Sequence, residues 1–135
     1  MKAGLSLFLR YRLPAILWAL LIFVASSIPA TKLPKFIVFG HDKLIHLAVF
    51  FIFGVFVYRS LEPRAKPPVL DWRRVAWAVG LVVSYGIIDE LHQGLVPGRT
   101  VDVVDACADA AGGLLSAAAV YLLYRLKNKG IGGSA

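Results

Sequence analysis

The sequence predicts an all-α polytopic membrane protein whose four transmembrane helices form one bundle, with both termini cytoplasmic. Hydrophobic residues make up 59 % of the chain and the mean hydropathy is +0.72, whereas soluble domains average about 45–50 % apolar residues. Apolar segments recur four times, and cations concentrate between alternate segments. A length of 135 residues allows a single domain, and so apolar a surface indicates that the surrounding solvent is lipid.

The four segments are predicted to be helices at 13–28, 44–58, 75–93 and 102–124, followed by a flexible tail at 130–135. Helices are expected because a segment in lipid must pair its own backbone N–H and C=O groups, and no barrel-like alternation of residues occurs. A hydrocarbon core of about 30 Å needs roughly 20 residues. The second segment is shorter, and the long side chains of Lys43 and Arg59 at its ends can reach the interface.

The first segment allows a second interpretation, a cleaved signal peptide. Basic residues and a short apolar run precede "SSIPA", which ends at Ala30 like a cleavage site. Ile28 fits poorly at the third position before such a cut, so we favour retention of the helix. Cleavage would leave three spans and the same sign of charge bias.

The positions of the cations predict the orientation. Eleven of the fifteen Lys and Arg residues lie in the N-terminus, the loop between the second and third segments, and the tail. The positive-inside rule places these parts in the cytoplasm. The net charge of +7 is therefore an orientation signal, and it does not indicate nucleic-acid binding. The eleven cations are Lys2, Arg10, Arg12, Arg59, Arg64, Lys66, Arg73, Arg74, Arg125, Lys127 and Lys129.

The acidic residues gather at the opposite, extracytoplasmic ends of the last three helices. Asp42 and His46 are spaced i and i+4, so they share one helix face. Asp102, Asp105 and Asp109 are spaced i, i+3 and i+7, which also aligns them on one face. Six of the eight acids belong to this group: Asp42, Asp89, Glu90, Asp102, Asp105 and Asp109.

Asp109 is expected to face the interior of the bundle. It lies about 10 Å deeper along its helix than Asp102, where a charge facing lipid costs at least ~2.5–3.5 kcal/mol. Ala108, Gly112 and Ser116 on the same helix have the small-xxx-small spacing that allows close helix packing. The fourth helix is therefore predicted to be central.

Clustered carboxylates repel one another, so a positive partner is expected. Lys43, Arg99, His46 and His92 are available, and a divalent cation held by oxygen ligands is another candidate. No HExxH or CxxC spacing selects a particular metal. The metal and any cofactor therefore remain open.

Two blocks of sequence, "DKLIHLAVFFIFG" and "DELHQGLVPGRTVDVVDACADAAGG", resemble the VanZ-like family of small bacterial integral membrane proteins. The family pattern has an acid-Lys-x-x-His helix start, an acidic pair with Gln, Pro-Gly-Arg, and Asp-x-x-Asp-x-x-x-Asn before a Gly-rich helix. Asp109 departs from it, because it stands where the pattern has Asn. The matching residues are Asp42, Lys43, His46, Glu90, Gln93, Pro97, Gly98, Arg99, Asp102, Asp105 and Gly112.

The resemblance implies a multi-pass protein of the bacterial cytoplasmic membrane. The founding member of the family is linked to low-level resistance to the lipoglycopeptide antibiotic teicoplanin. The resemblance does not supply a molecular activity.

Two functions are compatible with the polar group. In the first, a site facing the outer leaflet acts on an anionic envelope lipid, a lipid-linked cell-wall precursor or a glycopeptide antibiotic, and the reaction type is open because no nucleophile triad or cofactor motif occurs. Its catalytic residues would be Asp105, Asp109, His46 and Glu90. Its substrate-binding residues would be Arg99, Lys43, Asp42, Asp89, Gln93 and Asp102.

In the second, the protein is a non-catalytic binder, and in the limit the polar cluster is a structural network that fixes the bundle. Asp42 and Asp102 would then cap helices. Arg99, at a Pro-Gly turn, would either neutralise Asp102 or Asp105 or clamp a phosphate. The sequence leaves the oligomeric state open.

Overall fold

The computed structural model describes residues 2–33, 41–61 and 70–131, which form helices and short connections with no strand among them. Four stretches in these ranges are long and apolar enough to cross a membrane: Gly4–Ser26, Asp42–Ser60, Trp72–Gln93 and Val103–Lys127. The predicted all-α fold with four spanning helices is confirmed. The elements are α1 (Lys2–Leu7), a π-helical turn (Phe8–Arg12), α2 (Leu13–Ser26), a 3₁₀ turn (Ala30–Lys32), α3 (Asp42–Ser60), α4 (Trp72–Gln93) and α5 (Val103–Ile131).

The helices are longer than the apolar segments from which they were predicted. The first span begins at Gly4 and not at 13, and α3 has 19 residues, so the second span is not short. The reason is that charged residues at the segment ends still adopt helical geometry and can extend their side chains toward water. α5 continues to Ile131, so the predicted tail at 130–135 starts inside a helix, and its residues 132–135 lie outside the described residues.

Some of the cations that predict the orientation lie outside the described residues. Lys35 in the first loop, and Arg64 and Lys66 in the second, belong to the ranges 34–40 and 62–69 that the structure does not describe. The membrane side of each helix end therefore stays a prediction.

Two aspartates cap the helices that they precede. Asp71 accepts a hydrogen bond from the Arg73 N–H at 3.0 Å at the start of α4, and Asp102 Oδ1 accepts one from the Val104 N–H at 2.7 Å at the start of α5. These bonds satisfy backbone donors that have no partner within the helix. Asp42 is different, because it is the first residue of α3 and accepts from the next N–H, that of Lys43.

α5 is the central helix, and it packs most extensively on α3 through small residues. A Cβ atom added at Gly112 would lie 2.8 Å from Phe51 N, and one at Gly54 would lie 2.8 Å from Ser116 Cβ. On another face of α5, a Cβ atom at Gly113 would lie 2.9 Å from Val82 of α4. The missing side chains let α3 and α4 approach α5 closely, as small-xxx-small packing requires.

α2 is attached to the other helices mainly by side chains. The Trp18 indole N–H donates to the Val49 carbonyl at 3.0 Å, and the Tyr85 hydroxyl donates to the Ala19 carbonyl at 2.7 Å. Ile22 is the α2 residue buried deepest in the hydrophobic core. This looser attachment leaves room between α2 and the start of α3.

Candidate functional site

All ten site residues predicted from the sequence form one connected network at the end of the bundle where α2 and α4 finish and α3 and α5 begin. Successive hydrogen bonds and ion pairs link them across three helices and the connection between α4 and α5. The alternating direction of the helices brings these ends together. The network comprises Asp42, Lys43, His46, Asp89, Glu90, Gln93, Arg99, Asp102, Asp105 and Asp109.

Lys43 organises the outer part of the network. Its ammonium group lies 3.2 Å from Asp42 Oδ2, 3.1 Å from Asp102 Oδ2 and 3.0 Å from Asp105 Oδ1. One cation on α3 thus holds two carboxylates at the start of α5, and the partly exposed positions of Lys43 and Asp102 leave this cluster in reach of solvent. The Val104 N–H and the Lys43 ammonium hold the pKa of Asp102 below its usual 3.8.

This pKa shift predicts a pH-dependent contribution of Asp102 to stability. Because the pKa in the folded state lies below that of the unfolded chain, the contribution is complete above about pH 5 and is lost as the pH falls through the folded-state pKa. Asp102→Asn keeps a capping side chain and removes the charge. We expect this variant to unfold at a slightly lower temperature than wild type at pH 7, and the difference to shrink steadily below pH 4. Thermal unfolding in detergent across this pH range measures the effect, and a constant difference would contradict it.

His46, Glu90 and Asp109 form the inner part of the network. His46 Nδ1 lies 2.9 Å from Asp109 Oδ1 and 3.8 Å from Glu90 Oε1. Asp109 is fully buried and Glu90 is 2 % exposed, so Asp109 faces the interior as expected. The three residues come from α3, α4 and α5, and each offers a ligand atom within 4.8 Å of the others, a spacing that could hold a metal ion.

Gly86 creates the space that Asp109 occupies. A Cβ atom at Gly86 would lie 2.8 Å from Asp109 Cβ and 3.0 Å from Asp109 Oδ2. This second carboxylate oxygen is buried and has no hydrogen-bond partner among the described residues. An unpaired buried oxygen is costly, and this is the one buried side-chain nitrogen or oxygen without a hydrogen-bond partner in the described part of the chain.

Gln93 connects the two buried acids of α4 with Arg99. Its amide nitrogen donates to Asp89 Oδ2 at 2.9 Å and to Glu90 Oε1 at 3.1 Å, and its carbonyl oxygen accepts from Arg99 Nη1 at 2.5 Å. Asp89 Oδ2 also accepts from the Ser26 hydroxyl at 2.9 Å. These bonds hold the C-terminal ends of α2 and α4 together.

Arg99 contacts the end of α2 and not the carboxylates of α5. Its Nε donates to the Ile28 carbonyl at 3.1 Å and its Nη2 to the Ala25 carbonyl at 3.4 Å. The turn before it needs Gly98, whose φ of 78° lies in the left-handed region. The neutralising role considered for Arg99 is filled by Lys43 in the structure. Three of its five N–H groups are used on protein acceptors, which leaves two for a ligand.

A cavity of about 580 Å³ lies against this network. Its lining contains an apolar group of residues from α2, α3 and the connection after α2, which we call the apolar wall, and a polar group, the polar wall, that includes seven of the ten network residues. Lys43, Glu90 and Asp109 do not line the cavity. The apolar wall includes Ile22, Ala25, Ile28, Leu33, Ile45, Val49 and Phe50, and the polar wall includes Ser26, Asp42, His46, Asp89, Gln93, Arg99, Thr100, Asp102 and Asp105.

The sequence analysis missed three residues of this region. Ser26 was considered only as part of a cleavage site, although a Ser at the end of a span can bond to a buried acid. Gly86, three residues before Asp89, carried no signal of its own. The Ser27 hydroxyl lies 2.7 Å from the Phe23 carbonyl and 2.9 Å from His92 Nε2, so it bonds both to its own helix and to the end of α4.

The chain was compared with protein families, curated proteins and solved structures. The family model described as VanZ/LLP1 matches residues 11–125, a range that contains the whole polar network, the second and third spanning helices and most of the first and fourth. No curated protein and no solved structure gives a significant match.

Proposed function

The chain belongs to the VanZ/LLP1 family, and we propose that this multi-pass membrane protein binds an envelope amphiphile in the cavity beside its polar network. The ligand class is an envelope lipid, a lipid-linked cell-wall precursor or a lipoglycopeptide. The head group would lie against the polar wall and the hydrocarbon chain against the apolar wall.

The observation that carries this proposal is that one cavity is lined both by apolar side chains of the spanning helices and by ionisable side chains of the polar network. Ile22 and Ala25 of α2 face the cavity together with Val49 of α3, at the depth of the membrane-spanning helices. Asp102 and Arg99, in the connection between α4 and α5, line the same cavity. Ligand sites in proteins are typically concave and mostly apolar with a few converging polar groups. A molecule with a chain and a polar head satisfies both walls at once.

The polar wall favours a head group that carries both an anionic group and hydrogen-bond donors. The two free N–H groups of Arg99 suit a phosphate or carboxylate. The oxygens of Asp42 and Asp105 accept hydrogen bonds from hydroxyl or amine groups. Sugar-bearing phospholipids and lipid-linked cell-wall precursors have this combination.

The positive-inside rule supports an outward-facing site. Among the described residues, Lys32, Lys43 and Arg99 are the cations at the network end of the bundle, whereas Arg59, Arg73 and Arg74 flank its other end. Fewer cations are retained on the extracytoplasmic side. The cavity would therefore exchange ligand with the outer leaflet of the bacterial cytoplasmic membrane.

The network contains both structural bonds and side chains that line the cavity. Arg99 joins Gln93 of α4 to the carbonyls of Ala25 and Ile28 at the end of α2, which is what a network that only fixes the bundle requires. Gln93, Arg99 and His46 also line the cavity, and His46 contacts Asp109 in the interior as well. A bound head group would therefore be in reach of the residues predicted to be catalytic, and turnover can be measured in the same experiment as binding.

Ala25→Phe tests the proposal by filling the apolar wall. Ala25 is exposed to the cavity, so a benzyl side chain takes the space of the hydrocarbon chain without overpacking the core. We expect at least about tenfold weaker binding, the equivalent of ~1.4 kcal/mol, and little change in unfolding temperature. Native mass spectrometry of the detergent-solubilised protein, with phosphatidylglycerol, undecaprenyl-linked precursor or teicoplanin added, measures binding.

Ala118→Phe is the matched control, because Ala118 is exposed on α5 and does not line the cavity. If both variants bind the ligand as tightly as wild type, the proposed ligand site is contradicted, and the structural network remains as the role of the polar residues. Binding without any change in the mass of the added lipid supports a binder, whereas a new lipid product supports an enzyme.

A further inference from the structure

We propose that His46, Glu90 and Asp109 form a binding site for one divalent transition-metal ion, behind the polar wall of the cavity. The proposal is independent of which amphiphile the cavity takes. It rests on the spacing of the three side chains, on an unpaired buried oxygen and on the local balance of charge.

The spacing fits a coordination sphere. Ligand atoms about 2.0–2.2 Å from a cation lie roughly 2.8–3.6 Å apart at octahedral or tetrahedral angles. The separations from His46 Nδ1 are 2.9 Å to Asp109 Oδ1 and 3.8 Å to Glu90 Oε1, and one ligand atom from each residue lies within 4.8 Å of the others. Small side-chain rotations would bring all three to bonding distance of one ion.

The unpaired oxygen is the independent observation. Asp109 is fully buried, and its Oδ2 has no partner among the described residues even though Oδ1 contacts His46. A hydrogen bond between His46 and Asp109 accounts for the short distance but leaves Oδ2 unsatisfied. A cation bound by the carboxylate supplies the missing partner. Gly86 keeps the space beside Oδ2 free of a side chain.

The charge balance of the inner network also favours a bound cation. Lys43 is bonded to three other carboxylates and Arg99 to Gln93 and to backbone carbonyls. Within the described ranges, the one ionisable side chain that forms an ion pair with Glu90 or Asp109 is His46. Two buried carboxylates therefore face at most one positive charge, in a bundle where charge is costly. A divalent ion restores neutrality.

The donor set selects the kind of ion. One imidazole nitrogen with two carboxylate oxygens suits Zn²⁺ or Mn²⁺, whereas Ca²⁺ and Mg²⁺ prefer oxygen ligands alone. Glu90 is already held in position, since Oε2 accepts from the Asp102 N–H at 3.0 Å and Oε1 from Gln93 at 3.1 Å. Partners of this kind orient metal-binding carboxylates.

The test measures metal content of the full-length protein in detergent. The protein is stripped with a chelator, dialysed against Zn²⁺ or Mn²⁺, and analysed by mass spectrometry of the metal. We expect about one ion per wild-type chain, bound at least about tenfold more weakly by His46→Gln, Glu90→Gln and Asp109→Asn. The ion should also raise the unfolding temperature of wild type and not that of these variants.

Three control variants make the result specific. His92→Gln removes a histidine that lies outside the cluster, and Cys107→Ser removes the exposed thiol that would bind zinc adventitiously. Both should retain the ion. Ala25→Phe should also retain it while losing lipid, so that failure of the ligand proposal and failure of the metal proposal give different results.

A wild-type chain that binds neither ion overturns the proposal, as does an ion that is lost from Cys107→Ser and kept in Asp109→Asn. If Asp109→Asn does not fold, the equivalent acid-to-amide change Glu90→Gln, together with the wild-type stoichiometry, still tests the proposal.

Discussion

Gly112→Val is expected to prevent folding of most of the protein. The added Cβ atom would lie 2.8 Å from Phe51 N and 3.2 Å from Phe50 C, which are backbone atoms of α3 that cannot rotate away. Overpacking against side chains costs about 1–3 kcal/mol, and a clash between two helix backbones should exceed this range because the helices must separate. We expect the yield of monodisperse protein in mild detergent to fall several-fold. Size-exclusion chromatography measures this yield.

Gly80→Val provides the control for this substitution. Gly80 lies in the middle of α4, and a Cβ atom added there meets no atom within 4 Å. Helix propensity changes by only a few tenths of a kcal/mol between Gly and Val, so this variant should behave like wild type. Similar yields of the two variants would show that α3 and α5 are not in close contact through Gly112.

The role of Gly112 illustrates what the sequence could predict about the fold. The spacing of Ala108, Gly112 and Ser116 indicated close packing on one face of α5, because small residues one turn apart have few other uses in a spanning helix. It could not indicate that the partner is α3. That choice depends on complementary small residues such as Gly54, and on connections whose course the sequence does not specify.

The polar site was likewise predictable from the sequence only in part. The alternation of helix direction and the cost of charge in lipid were sufficient to bring Asp42, His46 and Asp109 to one end of the bundle. The individual pairings were not predictable. Lys43 and Arg99 are both near the carboxylates in sequence. Lys43 nevertheless forms ion pairs with three of them, whereas Arg99 donates to backbone carbonyls at the end of α2. The turn at Pro97 and Gly98 sets the direction of Arg99. A hydrogen bond from the Ala30 N–H to the Pro97 carbonyl holds this turn, and it joins distant parts of the chain.

Gln93→Leu should be the most destabilising of the conservative-volume changes in the polar network. Leucine fills much of the same space but removes two donated bonds, to Asp89 and Glu90, and one accepted from Arg99. Two buried carboxylates then lose a donor and a guanidinium loses an acceptor. Breaking a buried network that involves charges costs about 3–5 kcal/mol, because the groups left behind are desolvated and unpaired. We expect a large fall in unfolding temperature in detergent and a weaker attachment of α2, detectable as faster hydrogen exchange in α2.

The neighbouring residue offers a matched comparison. His92→Leu removes a side chain whose ring bonds to Ser27 at the edge of the same helix end, where water can replace the lost partner, so the cost should be about 0.5–1.5 kcal/mol. Both variants replace a hydrogen-bonding side chain of the last turn of α4 by leucine. The difference between their unfolding temperatures therefore measures the effect of burial and of the number of hydrogen bonds that are lost. If the two lower the unfolding temperature equally, Gln93 does not support the attachment of α2 through Arg99, and this attachment must depend on Ser26, Trp18 and Tyr85 instead.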